Sequence, residues 1–214
     1  MNRSDKTILK KRIQMAFAGN ILTGIGVGIL KSADLGIDPF TSLVTGFLNL
    51  TRVSYTLVFL VVTGLLLIVT ASLDRHYIGL STILNFVILG PLVEITQSIT
   101  TALFPMEKII FRFLFLIVGI IFIAFAGAVY VTADLGVSGY DAISLIAADR
   151  LPVPFRFCRI TADLLCVGIG FSLGATIGIG TIITAFCFGP VIDLFCRKVT
   201  RPYLYGSAAA VSGI

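Results

Sequence analysis

The chain has 214 residues, of which 57% are hydrophobic and only 13% are charged, and its mean hydropathy is +1.04. An ordinary soluble domain carries about 25% charged residues, so the composition excludes one and predicts an all-α, polytopic helical membrane protein. The net charge of +5 does not indicate a nucleic-acid partner, because the basic residues flank the apolar runs.

Six apolar runs follow one another along the chain, and most are long enough to cross a bilayer as helices of roughly 20 residues. Basic residues cluster before the first run and after the last, as they do in segments that stay in the cytoplasm. We therefore predict a multi-pass protein of the cell membrane with an even number of crossings and both termini in the cytoplasm. The runs lie near residues 13–30, 55–73, 78–99, 110–132, 160–175 and 177–196.

The sequence repeats itself about 100 residues apart. Residues 24–36 return as residues 124–136, and both segments end in Ala-Asp-Leu-Gly. Residues 78–94 return as residues 177–193, with a Gly-Pro pair at the same place in each copy. Such duplication is the usual basis of a transporter fold, with a binding site where the two halves meet.

The duplication divides a single transmembrane domain, residues 1–214, into two homologous halves. The first half covers about residues 13–99 and the second about residues 110–198. Each half is expected to contain about three full spans plus a short helix that is broken or re-entrant.

The short helices decide how the halves are related. Asp38 before Pro39 predicts a capped helix that runs to about Leu50, and Ser138 predicts a second one that runs to about Ala147. If these helices are re-entrant, the halves are inverted; if they cross, the halves are parallel. Their length, about 1.5 Å per residue, favours the inverted arrangement, which we prefer, whereas the distribution of Lys and Arg slightly favours the parallel one.

The two Ala-Asp-Leu-Gly breaks contain the first candidate site residues, Asp34 and Asp134. Interrupted helices in corresponding places leave backbone groups free to bind a solute, which makes them a sequence pointer to a transporter site. The alternative is a loop at the membrane edge, in which both aspartates are solvated or act as caps. The start of the second short helix adds Tyr140 and Asp141, whose hydroxyl and carboxylate suit an ammonium group or a proton.

Two further acids, Glu94 and Asp193, each lie three residues after the proline of a Gly-Pro pair. A carboxylate near the centre of a membrane helix costs about 2.5–3.5 kcal/mol, so equivalent acids in both copies suggest binding or protonation. The alternative is that both are hydrated at the membrane interface.

The densest charged cluster lies in the run that begins near residue 155. Arg156, Arg159 and Asp163 lie on one helix face, and the four-residue spacing allows Arg159 and Asp163 to pair. Arginine at a helix end also extends to lipid headgroups, but Asp163 lies deeper and is expected to face a cavity or a partner. The first half has no charges at the equivalent positions.

Together, these Ala-Asp-Leu-Gly, Pro-x-Asp-like and Gly-Pro-x-x-Glu/Asp elements resemble the YczE/YyaS/YitT-type family of bacterial integral membrane proteins. The resemblance covers about residues 13–197, although Thr41 stands where the acid of the motif, Asp141 in the second copy, is expected. It implies a small bacterial plasma-membrane protein, is compatible with a transporter, and identifies no substrate.

These observations favour a secondary transporter, proton-coupled or facilitated, for a small polar or zwitterionic solute. The alternative is a non-transporting scaffold or accessory subunit of a biosynthetic or regulatory partner. The sequence contains none of the common hydrolase or metalloprotease motifs, so we expect no enzyme, no catalytic residue, no metal and no cofactor. The lipid bilayer and the solute are the expected partners, and a homo-oligomer is left open.

Overall fold

Helices make up almost all of the structure, a computed structural model that describes residues 3–105 and 107–205. No strand occurs in these ranges, which confirms the predicted all-α fold. The helices are α1 (Arg3–Ala33), α2 (Pro39–Thr51), α3 (Tyr55–Leu73), α4 (Leu80–Leu103), α5 (Ile109–Ala133), α6 (Gly139–Arg150), α7 (Phe155–Ser172) and α8 (Ile179–Phe195), which continues through a π-helical turn (Cys196–Thr200) into α9 (Arg201–Tyr205). A 3₁₀ turn (Arg75–Tyr77) precedes α4.

Five of the described helices are long and apolar enough to cross a membrane. They are Lys6–Ala33, Tyr55–Leu73, Leu80–Leu103, Ile109–Ala133 and Ile179–Tyr205. The remaining long helix, α7, has 18 residues and includes three charged ones, which lower its hydropathy. The predicted multi-pass membrane protein is therefore confirmed.

Helices α1 and α5 pack closely against each other in antiparallel orientation. A Cβ atom on Gly19 would lie 2.8 Å from the backbone nitrogen of Tyr130, and one on Gly119 would lie 3.0 Å from the Cα atom of Leu30. Such close approach is possible because small residues let helix backbones come together, as they commonly do in membrane proteins. Glycine-rich sequence in both helices thus produces the central helix pair of the fold.

An ion pair joins α1 to α5 at each end of this pair. Arg112 at the start of α5 binds Asp34 just beyond α1, with 2.8 Å between Nη2 and Oδ2. Arg12 near the start of α1 lies 3.4 Å from Asp134 just beyond α5. We name the two ends of the bundle the Asp34 face and the Asp134 face after these aspartates.

The described chain begins and ends on the Asp134 face. Lys11 donates a hydrogen bond to the carbonyl oxygen of Tyr203 at 3.2 Å, and Arg12 donates one to the hydroxyl of Tyr205 at 2.8 Å. Among the described helices, α1, α3, α4, α5, α7 and α8 run between the two faces. Six passages return the chain to the face on which it started.

The short helices α2 and α6 begin in the interior and end at opposite faces. The rings of Phe40 and Tyr140, in the first turns of the two helices, stack with centroids 5.0 Å apart. Near the end of α2, Asn49 donates to the carbonyl oxygen of Gly174 at 2.8 Å. At the end of α6, Arg150 donates to the carbonyl oxygen of Leu73 at 2.6 Å. At each short helix the chain therefore enters the bundle before the helix begins, and the helix leads it back out without crossing the bundle.

The sequence signals at the start of the short helices act as predicted. The side chain of Asp38 caps α2 by accepting from the amide of Thr41, and the side chain of Ser138 caps α6 by accepting from the amide of Asp141. Gly36 and Gly136 have φ angles of +102° and +98°, which glycine adopts without strain. Helix α2 ends one residue later than predicted and α6 three residues later, within the ordinary uncertainty of helix boundaries.

We predict that Gly19→Ala destabilises the protein, because its new methyl group would overlap the backbone of α5. Overpacking of this kind costs about 1–3 kcal/mol, so the melting temperature in detergent, followed by circular dichroism at 222 nm, is expected to fall. The matched control is Gly168→Ala in α7, since a Cβ atom at Gly168 meets nothing within 4 Å. Equal melting temperatures for the two variants would contradict the close packing of α1 and α5.

Candidate functional site

A cluster of charged and aromatic side chains lies where α6 packs against α7. The guanidinium of Arg159 pairs with Asp141, lies 3.4 Å from Asp163 and sits over the ring of Tyr140, 4.5 Å from its centroid. The hydroxyl of Tyr140 donates to Asp163. We call these four residues the central cluster, and its geometry realises the pairing that the four-residue spacing of Arg159 and Asp163 predicts.

The capping residue of α6 fixes the position of Asp141. The hydroxyl of Ser138 donates to Oδ2 of Asp141 at 2.8 Å, while Oδ1 of Asp141 faces Arg159. The amide of Ser138 in turn donates to the hydroxyl of Tyr130 on α5. Because each group is held by a neighbour, the carboxylate is oriented by the fold.

Asp38 extends this charged region toward the first half. Its Oδ1 accepts from the amide of Thr41 at 3.0 Å, whereas its Oδ2 is buried without a hydrogen-bond partner among the described residues. Asp38 interacts electrostatically with both Arg159 and Asp163. One partly buried guanidinium thus stands near three carboxyl groups, and two further positive charges, protons or cations, would balance them.

A pocket of about 510 Å³ opens at the Asp34 face between the helices of the first half. Its charged lining residues are Lys31, Asp34 and Glu94, and Tyr55 contributes an aromatic ring. The rest of the lining is formed by Gly36, Ile37, Thr45, Leu48, Asn49, Val53, Ser54, Gln97, Ser98, Thr101 and Thr176. Ligand sites commonly have volumes of about 300–1,000 Å³ with a few converging polar groups.

The two oppositely charged groups inside this pocket have different partners. The ammonium of Lys31 lies over the ring of Tyr55, 3.9 Å from its centroid. Glu94 accepts from the hydroxyl of Thr56 at 2.5 Å and from the amide of Thr56 at 3.4 Å, in both cases through Oε2. Lys31 and Glu94 interact electrostatically, but they do not form one of the direct ion pairs found among the described residues.

The inner end of the pocket adjoins the charged region. Ile37 and Tyr55 line the pocket and are themselves buried, with 4% and 3% of their surfaces exposed. Tyr55 interacts electrostatically with Asp38, which in turn interacts with Arg159. The pocket and the central cluster are therefore neighbours in the interior.

On the Asp134 face, contacts join α6 to the loop before α4. The hydroxyl of Tyr77 donates to Asp149, and this hydrogen bond to a carboxylate raises the pKa of Tyr77 to about 12. The amide of Val137 donates to the carbonyl oxygen of Tyr77 at 3.1 Å. The first bond holds the end of α6, and the second holds the segment before α6, against the turn that precedes α4.

The structure brings together Tyr140, Asp141, Arg159 and Asp163 of the predicted site residues, and it places Glu94 inside the pocket. Asp34 lies at the pocket rim, paired with Arg112. The roles that the sequence suggests for these residues stay predictions.

The other predicted site residues lie apart from the cluster. Asp134 pairs with Arg12 on the opposite face, and its side chain is 76% exposed. Asp193 lies on an exposed part of α8, where its Oδ2 is 2.8 Å from Arg197. The side chain of Arg156 lies outside the described part of the protein. Glu94 and Asp193 are thus equivalent in sequence but differ in surroundings.

The sequence does not predict Lys31, Asp38 or Tyr55 as site residues. It indicates only a capping role for Asp38. Lys31 lies close to the end of one membrane helix, α1, and Glu94 lies in another helix of the same half, α4. Two opposite charges in membrane helices of one half are a signal that could have indicated a site. Nothing in the spacing indicates the contact between Lys31 and Tyr55.

The chemistry offered by these residues is that of binding and proton exchange. Within residues 3–105 and 107–205, no group of three or more His, Cys, Asp and Glu side chains is arranged to hold a metal ion. The four cysteines are free thiols. The carboxylates, the guanidinium and the ammonium can hold ions, protons or a charged solute.

Comparison with known proteins identifies the relatives of the chain. Residues 10–197 match a family of unknown function, DUF6198. An uncharacterized protein of Haemophilus influenzae is 28% identical over 187 residues, covering 87% of this chain and 84% of that protein. The uncharacterized membrane protein YczE of Bacillus subtilis is 24% identical over 177 residues, covering 82% of this chain and 81% of YczE.

The uncharacterized protein YyaS of Bacillus subtilis is 23% identical over 189 residues, covering 87% of this chain and 92% of YyaS. No solved structure matches the chain. The predicted relationship to YczE and YyaS is confirmed.

We predict that Arg159→Ala lowers the free energy of unfolding by about 3 kcal/mol, because it leaves Asp141 and Asp163 without their shared cation. The free energy is measured by SDS titration of protein in mixed micelles. The control is Arg197→Ala, which removes an exposed arginine from a similar four-residue pair with Asp193 and is expected to change the value by less than about 0.5 kcal/mol. Equal effects of the two substitutions would show that the central cluster does not depend on Arg159.

Proposed function

The chain belongs to the DUF6198 family of unknown function, and we propose that it is a secondary transporter for a small polar or zwitterionic solute. The membrane setting comes from its apolar helices; the transport role is our proposal. It involves no chemical conversion of the solute.

The observation that carries this proposal is the partly buried charged cluster at the meeting point of the two short helices α2 and α6. Ionisable residues inside a membrane protein are costly to insert, and they mark ion and substrate pathways. Non-helical backbone at membrane depth is tolerated where it is covered by protein or lines a cavity. Transporter sites are commonly built from such broken helices near the middle of the membrane.

We also propose that the chain is built from two inverted halves. Arg12 precedes Asp34 by the same number of residues as Arg112 precedes Asp134, and each arginine binds the aspartate of the other half. The antiparallel pairing of α1 with α5 supports the inverted rather than the parallel arrangement. Inverted repeats let one half rock against the other around a fixed site.

Proton coupling is supported by the balance of charges in the interior. Arg159 offers one positive charge, whereas Asp38, Asp141 and Asp163 offer three carboxyl groups. Burying an unbalanced carboxylate costs several kcal/mol, so such a group tends to take up a proton. In the proposed cycle, the passing solute breaks the hydrogen bond from Tyr140 to Asp163. The carboxylate of Asp163 then binds a proton, which it releases when the hydrogen bond forms again.

The pocket on one face supports an alternating-access cycle, with the structure corresponding to the state that is open at the Asp34 face. The pocket opens at the Asp34 face, while the hydrogen bonds of Tyr77 and Arg150 join α6 to α3 and to the following turn on the Asp134 face.

We predict that Asp163→Asn abolishes solute accumulation, because it removes the carboxylate shared by Tyr140 and Arg159. Proteoliposomes are incubated with a uniformly ¹³C-labelled bacterial metabolite extract under an imposed pH gradient, and retained solutes are identified by mass spectrometry. Wild-type protein is expected to enrich at least one small polar solute, and Asp163→Asn is expected to lower that enrichment at least about tenfold.

The control for this experiment is Glu107→Gln, which changes an exposed acid in the loop between α4 and α5. It is expected to transport at the wild-type rate. If wild-type proteoliposomes enrich no solute above protein-free liposomes under any gradient, the transporter proposal fails. A protein that instead co-purifies stoichiometrically would support a scaffold.

We predict that the Asp34 face is external and the Asp134 face cytoplasmic, because the basic residues at the chain ends lie on the latter. In a chain with its four cysteines replaced by alanine, Ser54→Cys should react with a membrane-impermeant maleimide on intact cells. His76→Cys should react only after permeabilisation. The opposite pattern would reverse the assigned orientation, and labelling of both residues on intact cells would contradict their location on opposite faces.

A further inference from the structure

We propose that the pocket at the Asp34 face is a recognition site for a zwitterion, whose carboxylate binds Lys31 and whose ammonium group binds Glu94. Its role in transport rests on the proposed function, whereas the binding itself can be tested without transport.

Lys31 has donors available to a ligand. Its ammonium lies over the ring of Tyr55, and a cation–π contact compensates a buried charge only in part. Among the ion pairs of the described residues, none includes Lys31. A lysine held in place by an aromatic ring, with its ammonium donors free, is suited to bind a carboxylate.

Glu94 has an acceptor oxygen available to a ligand. Both of its hydrogen bonds, from the hydroxyl and the amide of Thr56, go to Oε2. This arrangement orients the carboxylate and leaves Oε1 without a partner among the described residues. Because Lys31 and Glu94 do not pair directly, a solute that binds both can bridge them.

The net charge of the pocket favours a solute that is neutral overall. Arg112 balances Asp34 at the rim, at 2.8 Å, so that one positive charge on Lys31 and one negative charge on Glu94 remain inside. A solute with a single charge would leave one of these two groups uncompensated, which is costly in a partly buried site. A zwitterion compensates both.

One hydroxyl oxygen of the lining, Oγ1 of Thr45, is buried without a hydrogen-bond partner among the described residues. Buried polar groups are nearly always hydrogen-bonded in folded proteins, so this hydroxyl is available to a bound solute or to water. The pocket volume of about 510 Å³ leaves room for a small amino acid together with water.

The recognition groups belong to the first half alone. By the offset of the sequence repeat, Val131 corresponds to Lys31 and Phe155 to Tyr55. The second half therefore offers neither the ammonium nor the phenol at the equivalent place on the Asp134 face. The two halves share a backbone plan, but this site is single.

Binding is tested with the purified full-length chain in detergent by isothermal titration calorimetry. The probes are glycine, β-alanine, γ-aminobutyrate and 5-aminovalerate, which carry the same two charges at increasing separation. Butyrate and butylamine are single-charge controls for γ-aminobutyrate. We expect at least one member of the series to bind at least about tenfold more tightly than either single-charge control.

Two variants assign the charges of the preferred probe. Lys31→Gln is expected to lower the affinity for the preferred probe at least about tenfold and to leave the affinity for butylamine unchanged. Glu94→Gln is expected to lower the affinity for the preferred probe equally and to leave the affinity for butyrate unchanged. The matched controls Lys108→Gln and Glu107→Gln change exposed residues of the loop before α5 and should bind as the wild type does.

A second measurement does not require changes to the charged residues. In the cysteine-free chain, the preferred probe should slow maleimide labelling of Ser98→Cys, which lies in the pocket, but not of Ser72→Cys near the Asp134 face. If no probe binds at 10 mM, if single-charge compounds bind as well, or if labelling is unaffected, the zwitterion site is overturned.

The outcomes separate this inference from the proposed function. Binding of a probe that depends on Lys31 and Glu94, without uptake by proteoliposomes, would support the site and reject the transporter. Uptake of a solute that persists at the wild-type rate in both variants would support the transporter and reject the site.

Discussion

The structure depends on one constraint: within a membrane every backbone amide and carbonyl group needs a partner. The two chain breaks meet it in the same way. The carbonyl oxygen of Leu35 accepts from the amide of Gly180 at the start of α8, and that of Leu135 accepts from the amide of Ser81 at the start of α4, each at 2.9 Å. Each break is thus completed by the first turn of a helix from the other part of the chain. These bonds satisfy part of the interrupted backbone within the protein, as a membrane setting requires.

The local features of the fold could be predicted from the sequence because they depend on near neighbours. Asp38 and Ser138 can be identified as caps from residue type and spacing alone. The four-residue spacing of Arg159 and Asp163 likewise predicted their contact. In each of these cases the information lies within a few residues of chain, where helix geometry fixes which groups can meet.

The candidate site could be predicted only in part because its other contacts join distant segments. Lys31 near the end of α1 meets Tyr55 at the start of α3, and no periodicity encodes that meeting. Glu94 and Asp193 occupy equivalent sequence positions, yet Glu94 lines a pocket while Asp193 pairs with Arg197 on an exposed surface. Sequence equivalence therefore predicts a shared backbone position but not a shared environment, since the environment depends on which helices lie alongside.

The matching segments of the sequence differ in their charged residues, so the proposed duplicated framework holds an asymmetric interior. The ion pairs of Arg12 and Arg112 and the stack of Phe40 on Tyr140 relate residues at equivalent places, and these contacts hold the framework. The charged groups depart from this correspondence: Arg159 and Asp163 occur in the second half, and Lys31 occurs in the first. A solute moving between the pocket and the central cluster would leave groups of one half and meet groups of the other. In the proposed inverted arrangement two faces can open in turn, and the unequal side chains place different charges along the proposed path between them.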